Sequence, residues 1–485
     1  MNIVEPIARR AVLQPNKPAL IMGDVTLTYS DLMANVAKIG ANLSEAGVRS
    51  HDVVAIVAPG LVGHVLLTLG VAYVGAVSLP IAVGQADQGE VEMIEVCGAS
   101  FLTHSRGDGF KLDSVTLRGQ MSLAMLTQTA APPVPMAHVE PGEICRLFLS
   151  SGTTGRRKPI EMSHQGMLLN ALLTGIEFPA DSQDRSLLTL GPALLYTMMF
   201  WLRSLTAGGA VIAADPTPLE ALRKHRATFV LASPISATSL LKVAQIEGRL
   251  APISDHLRRI CVGGSAVSPA LQGLYRKHLC ANLALVYGAT ETGLLAVADT
   301  ELQQRDPTAT GNLVAWAEIQ VVGEDGKVLG PGESGRLRVR TPGLANGYPG
   351  DESGAFKDGW FLSGDYGTLS REGVLHVGGR GDVLNLSGRK LDPGLVESVI
   401  AQDSAVLECV ALTVPGPLGQ PQLVAAVVAP QGLDEEALKQ RCLAAFGKNC
   451  VPKVVILESF PHNEGGKVLR REVQALAERA LLPAR

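Results

Sequence analysis

Apolar residues recur at helical spacing after Thr28-Tyr29-Ser30-Asp31. Leu32, Val36, Ile39 and Leu43 fall on one face, Ser30 stands where a cap is needed, and Gly47 can end the helix. Val53-Val54-Ala55-Ile56-Val57 reads as a strand. From Val65 to Val83 no residue is charged, a length that raises the question of a membrane span. Gly70, Gly75 and Pro80 interrupt it and its tail is short and β-like, so the pattern predicts a buried helix followed by a core strand and no membrane span. Further apolar runs, Leu147-Phe148-Leu149, Thr228-Phe229-Val230-Leu231 and Arg259-Ile260-Cys261-Val262, alternate with amphipathic stretches. Such alternation predicts an α/β fold with largely parallel sheet, and strands that end in glycine loops are typical of ligand sites at sheet edges.

From about residue 310 the texture changes to short strands and turns: Glu318-Ile319-Gln320-Val321-Val322, then Arg336-Leu337-Arg338-Val339. This predicts a β-rich subdomain over about 310–378. After Gly378-Gly379-Arg380-Gly381-Asp382 a small α+β unit begins, with a strand at 405–412, a helix near 434–446, a strand around 453–457 and a final helix from about 468. The expected division is a large N-terminal domain of parallel and mixed sheets with helices, residues 1–381, and a small α+β C-terminal domain, residues 382–485.

Composition narrows the function classes. The 485 residues are 46% hydrophobic and 18% charged, which excludes a disordered chain and suggests two to four domains. Forty-two basic against 46 acidic residues leave a net charge of −4, without the basic stripe of a nucleic-acid binder. The seven cysteines include no CxxC, and no two histidines have metal-ligand spacing. A reducing cytoplasm is expected, and the N-terminus MNIVEPIARR has no apolar signal core.

The most informative segment is Ser150-Ser151-Gly152-Thr153-Thr154-Gly155-Arg156-Arg157-Lys158. Its glycines let the backbone bend and present N–H groups, its hydroxyls can donate to oxyanions, and three cations follow. That is a phosphate cradle by composition, or else a polar surface turn. It is not a Walker A loop, because Arg156 and Arg157 separate Gly155 from Lys158.

SSGTTGRRK resembles the signature loop of the acyl-adenylate-forming superfamily, which includes acyl- and aryl-CoA synthetases, carrier-protein adenylation domains and luciferases. Further segments agree in order over nearly the whole chain: Tyr287-Gly288-Ala289-Thr290-Glu291, Trp360-Phe361-Leu362-Ser363-Gly364-Asp365, Gly379-Arg380-Gly381-Asp382, Ser387-Gly388-Arg389-Lys390 and Gly465-Gly466-Lys467. The resemblance implies ATP, Mg²⁺ and coenzyme A. A carboxylate is first joined to the α-phosphate of ATP with loss of pyrophosphate, and a thiol then attacks the adenylate.

The resemblance also implies roles. Ser151, Gly152, Thr153, Thr154, Gly155 and Lys158 would hold the β- and γ-phosphates. Tyr287 and Gly288 would lie near the adenine, Thr290 would contact the α-phosphate, and Glu291 would help hold Mg²⁺. Asp365 would accept from the ribose hydroxyls, and Arg380 would also contact nucleotide. Lys467 would bridge the acid and ATP oxygens during adenylation only. For the thiol step the small domain rotates about a hinge at Asp382, and Gly388 with Lys390 lines the pantetheine tunnel, where a side chain at Gly388 would obstruct passage.

The chain departs from the family at Arg157 and Pro159, in a shorter spacing from Arg380 to Gly388, and at Gly191-Pro192-Ala193-Leu194-Leu195-Tyr196-Thr197-Met198. There leucine stands where a histidine is usual, and Tyr196 or Met198 replaces the gate. The expected acyl pocket, formed by Leu195, Tyr196, Ser233, Pro234, Gly263 and Gly264, is mostly small or apolar, with no aspartate placed to anchor an α-amino group. It suits an aryl or short to medium acyl acid. The acceptor is coenzyme A or, alternatively, the pantetheine of an acyl carrier protein.

Overall fold

In the computed structural model of the chain the first long helix, Tyr29–Glu45, is capped by Thr28 rather than Ser30. Thr28 Oγ1 accepts from the Asp31 amide at 3.1 Å while Asp31 Oδ2 accepts from the Thr28 amide at 2.9 Å. The reciprocal pair satisfies two orphan amides at once, which Ser30 could not do from inside the first turn. Tyr29 is then free to point inward, donating its hydroxyl to the carbonyls of Leu205 and Gly209.

The structure describes residues 1–81, 88–106, 110, 112, 114–149, 158–215, 217–248, 250–350, 354–380, 384–386, 389–391, 393–415, 421–430, 432–446, 451–463 and 466–481. Of these, 88–91, 379, 380, 385, 386, 389–391, 395, 415 and 421 are described by backbone alone. The chain divides into two compact units. The first comprises Met1–Leu231, Gly288–Leu294 and Thr341–Lys357, and the second Ala232–Tyr287, Leu295–Arg340 and Asp358–Arg485.

The first unit contains a six-stranded sheet in the order Gly119–Ser122, Phe101–His104, Val53–Val57, Val77–Pro80, Ile144–Leu149, Pro159–Ser163. Its pairs are parallel except the last. The uncharged stretch is the helix Leu61–Tyr73 followed by the strand Val77–Pro80. That helix is apolar nearly all round because its residues from Leu61 to Ala72, apart from Gly63, are buried inside protein. Among the described residues no helix is long and apolar enough to cross a membrane. A second parallel set in this unit runs Phe229–Ala232, Arg185–Leu188, Ala210–Ala213, Pro18–Met22, and ends in the antiparallel Val25–Thr28.

In the second unit Arg259–Gly263 pairs parallel with Leu283–Ala289. Beyond the strand Gly293–Ala298 the ladder turns antiparallel through Gly311–Leu313, Val374–Arg380, Trp360–Leu369, Gly335–Arg340 and Glu318–Val322. Alternation does what a period of two requires: Leu337 and Val339 enter a core with Ile319, Val321 and Leu375, while Arg336, Arg338 and Arg340 point away. The last part of the chain builds a three-stranded sheet, Glu408–Pro415, Pro421–Val428 and Lys453–Ile456. Ala411, Leu423, Ala425 and Val427 pack on one face with the helices Pro393–Ala401 and Glu435–Phe446. Val410, Leu412, Val424 and Ala426 pack on the other with Arg470–Leu481. That helix starts at Arg470 rather than near 468, because Val468 is held in a bridge to His462.

One buried cation organises the first unit. Arg146, in the strand Ile144–Leu149, is fully buried, and burial holds its pKa down to about 9. Its guanidinium meets His64 Nε2 at 2.8 Å, Thr68 Oγ1 at 3.1 Å, Ser78 Oγ at 3.5 Å and the Ala193 carbonyl at 3.4 Å, and lies 4.9 Å from the Phe148 ring centroid. Among the described residues no carboxylate pairs with it. Burial and the neighbouring guanidinium push the His64 pKa well down, so the imidazole stays neutral and accepts. Arg146→Ala removes this filler and strands the polar groups around it, and should cost roughly 2–5 kcal/mol. Arg146→Met keeps the volume and should recover part of that loss; chemical denaturation of the two variants measures both, and an unchanged midpoint for Arg146→Ala would contradict this assignment.

Candidate functional site

The strand Leu283–Ala289 does not stop before the YGATE segment but runs through Tyr287 and Gly288. The turn that follows is closed by the Thr292 amide donating to the Ala289 carbonyl at 3.2 Å, and by the Ala289 amide donating to Thr292 Oγ1 at 3.2 Å. Thr290 and Glu291 form its tip, and Glu291 is only 8% exposed. Gly288 is required sterically: a Cβ there would lie 1.9 Å from the Gly293 carbonyl oxygen and 2.6 Å from the Tyr196 hydroxyl. That approach brings together Tyr196 and Gly288, both named from sequence. Leu195, also named, is buried at the start of the helix Leu195–Ala207, with Met198 and Met199 behind it.

In the first unit the Glu291 carboxylate receives a hydrogen bond from Tyr348, whose hydroxyl donates to Oε1 at 2.7 Å. The Lys158 ammonium stands 5.4 Å from the centroid of the same tyrosine ring. Glu291 Oε2 has no hydrogen-bond partner among the described residues. Tyr348 was not singled out from sequence, because Gly347-Tyr348-Pro349-Gly350 reads as a turn; the aromatic between glycines was the available signal.

In the second unit Tyr287 and Asp365, 78 residues apart in sequence, meet through a 2.7 Å hydrogen bond from the phenol to Oδ2. The Asp365 amide donates to Ser363 Oγ at 2.9 Å, and Arg380 is its register partner on the neighbouring strand. A hydrogen bond to a charged carboxylate is short and directional, so this aspartate is fixed before any ligand arrives.

The lysine loop lies in the same unit. The Lys467 amide donates to Asn463 Oδ1 at 2.9 Å, and the Asn463 amide to the Lys467 carbonyl at 2.9 Å. Gly466, at φ +76°, abuts Ser233: a Cβ there would sit 2.5 Å from the serine Cβ. Ser233 caps the helix Pro234–Ile246 in a reciprocal pair with Ser236. The loop is anchored at its base by His462, whose Nε2 lies 2.8 Å from Glu408 Oε2; burial raises the Glu408 pKa against the pull of that histidine. Gly263 ends its strand against Val286, and Gly264 follows at φ +95°.

Ser151, Gly152, Thr153, Thr154, Gly155, Asp382 and Gly388 lie outside the described residues. So do the side chains of Arg380 and Lys390, whose backbones belong to strands.

Among the described residues no group of three or more His, Cys, Asp or Glu could hold a metal ion. A single carboxylate with one oxygen engaged and the other open instead fits Mg²⁺, a hard cation that keeps waters and takes most of its remaining ligands from phosphates.

Comparison with known proteins identifies the family. The sequence model described as AMP-binding enzyme matches residues 7–349, and that of the AMP-binding enzyme C-terminal domain matches residues 395–467. A feruloyl-CoA synthase of an Amycolatopsis species is 28% identical over 495 residues, covering 96% of this chain and 97% of that protein. An indoleacetate–CoA ligase of Aromatoleum aromaticum is 28% identical over 513 residues, covering 99% of each. The fold is that of the o-succinylbenzoate CoA synthetase of Bacillus subtilis solved with its acyl-adenylate intermediate, at a TM-score of 0.83 and 24% identity over 99% of this chain and 98% of that one. With its two matched segments and the large mixed α/β architecture, the chain belongs to the AMP-binding enzyme family.

Proposed function

We propose that this acid–thiol ligase activates an aryl carboxylic acid with ATP and passes the acyl group to coenzyme A. The observation that carries the reading is the Tyr287–Asp365 hydrogen bond, which joins two distant segments, each expected from sequence to face the nucleotide. The aryl preference is supported by the apolar Leu195 and Met198 beside Tyr196 in one helix and by the substrates that the relatives' names carry. A cytoplasmic setting, where ATP and coenzyme A are available, is part of the proposal.

In the first half-reaction a carboxylate oxygen of the acid attacks the α-phosphorus and the bond to pyrophosphate breaks. Two anions must be brought together, so the chain's contribution is positioning and countercharge. Asp365 holds the ribose, with its carboxylate oriented by Tyr287 and with Arg380 on the adjacent strand. Lys467 reaches the acid and the α-phosphate from the loop seated on Ser233. Thr290 donates to the α-phosphate, and Lys158 with the loop at 151–155 holds the outgoing phosphates. Glu291 would hold Mg²⁺, which would supply neutralisation of the phosphate charge.

In the second half-reaction the thiol sulfur attacks the acyl carbon, a proton is lost from the thiol, and AMP leaves. We assign Gly388 and Lys390 to the pantetheine path and the boundary near residue 382 to the reorientation that exchanges the Lys467 loop for that path. The alternative acceptor, a carrier-protein pantetheine, uses the same chemistry.

Three measurements test this reading. Pyrophosphate release with ATP and Mg²⁺ across aryl and aliphatic acids should turn over only with coenzyme A and fastest with aryl acids; release that stalls near one equivalent would point to a carrier protein. Lys467→Ala should abolish most adenylate formation yet spare thioester formation from supplied adenylate, whereas equal loss of both steps would remove the lysine from this role. Asp365→Ala forfeits hydrogen bonds to a charged group worth about 1.5–3 kcal/mol, and should raise the KM for ATP roughly 10–100-fold with little change in that for coenzyme A.

A further inference from the structure

We infer that Tyr348 is a positioning residue that sets Glu291 for the metal-bound nucleotide; the inference rests on the reading of Glu291 as the Mg²⁺ carboxylate. Glu291 sits at the tip of a tight turn and is nearly buried, so its carboxylate has little water to orient it. The Tyr348 hydroxyl takes Oε1 at 2.7 Å. The rotation of the carboxylate is thereby fixed, and Oε2 is left as the oxygen that meets the cation. The backbone makes a second tie in the same region, the Ala345 amide donating to the Glu291 carbonyl at 2.8 Å. Tyr348 is itself held: its ring meets Phe356 edge-on at 5.2 Å, and the Lys158 ammonium stands over it at 5.4 Å.

The physical consequences run in one direction. A cation over the ring draws electron density from the phenol and makes its O–H a better donor. A stronger hydrogen bond to Oε1 saves the entropy of ordering the carboxylate when the metal arrives. Partners that orient a metal-binding carboxylate typically govern metal affinity by 10–100-fold. Tyr348 therefore joins two groups assigned to phosphate and metal, Lys158 and Glu291, through one side chain. Its signature is selective: the gain in nucleotide binding that Mg²⁺ brings should depend on the hydroxyl, and nucleotide binding without Mg²⁺ should not.

Calorimetric titration of the intact chain with α,β-methylene ATP, which cannot release pyrophosphate, measures that gain with and without Mg²⁺. Tyr348→Phe keeps the ring against Phe356 and beneath Lys158, so it should fold with an unchanged melting temperature. It should lower the Mg²⁺-dependent gain roughly tenfold while leaving Mg²⁺-free binding as it was. The wild-type gain in Tyr348→Phe overturns the inference, as does an equal loss with and without Mg²⁺, which would mark the tyrosine as packing alone. Glu291→Gln, titrated in parallel, separates the two levels. If it retains the gain, the reading of Glu291 fails; if it loses the gain while Tyr348→Phe keeps it, only the role of Tyr348 falls.

Discussion

The approach of Gly288 to the Gly293 carbonyl is the constraint on which the candidate site turns. Only a residue without a Cβ lets the chain leave the strand Leu283–Ala289 and re-enter at Gly293–Ala298 after a turn this tight. The turn projects Thr290 and Glu291 from the end of that strand, so the two residues assigned to α-phosphate and metal are carried on a short, closed turn. Tyr287, one residue before the glycine, is drawn into the strand and aims its phenol at Asp365. A single backbone device thus fixes the turn that carries the residues assigned to α-phosphate and metal.

Two carboxylates, one in each unit, are each oriented by a neutral donor: Tyr287 for Asp365 and Tyr348 for Glu291. Neutral donors suit carboxylates assigned to a nucleotide's hydroxyls and its cation. An arginine or lysine in either place would neutralise the carboxylate and hold it against its ligand. A tyrosine fixes the geometry while leaving the negative charge available to hydroxyls or to a cation. The cation Lys158 then acts at one remove, over the ring rather than against the carboxylate.

Much of this was readable in the chain beforehand, for identifiable reasons. Strong periodicity placed the helix at residues 29–45 and the strand Val53–Val57, and the uncharged stretch resolved into a buried helix and strand because its glycines and proline divide it. The cap was misplaced by two residues because Ser30 and Thr28 are equally good acceptors, and only the reciprocal bond to Asp31 separates them. The strand Trp360–Leu369 was hidden because Gly364, Asp365 and Gly367 break its apolar alternation. The motifs singled out Asp365, Glu291 and Lys467 by type and order as candidates. Tyr348 could not be found that way, since its importance lies in a contact with a residue 57 positions earlier.

The cluster around Arg146 carries a consequence for how this sequence can change. His64, Thr68 and Ser78 are each unremarkable alone, yet all three are buried and spend an acceptor on one guanidinium. Replacing any of them by an apolar residue leaves a buried donor unmet, while replacing Arg146 first leaves three acceptors without their donor. Single steps away from the set are therefore penalised in every direction, although an all-apolar set of equal volume is compatible with the same fold. The four positions should drift together or not at all, as an epistatic block beneath the Ala193 carbonyl.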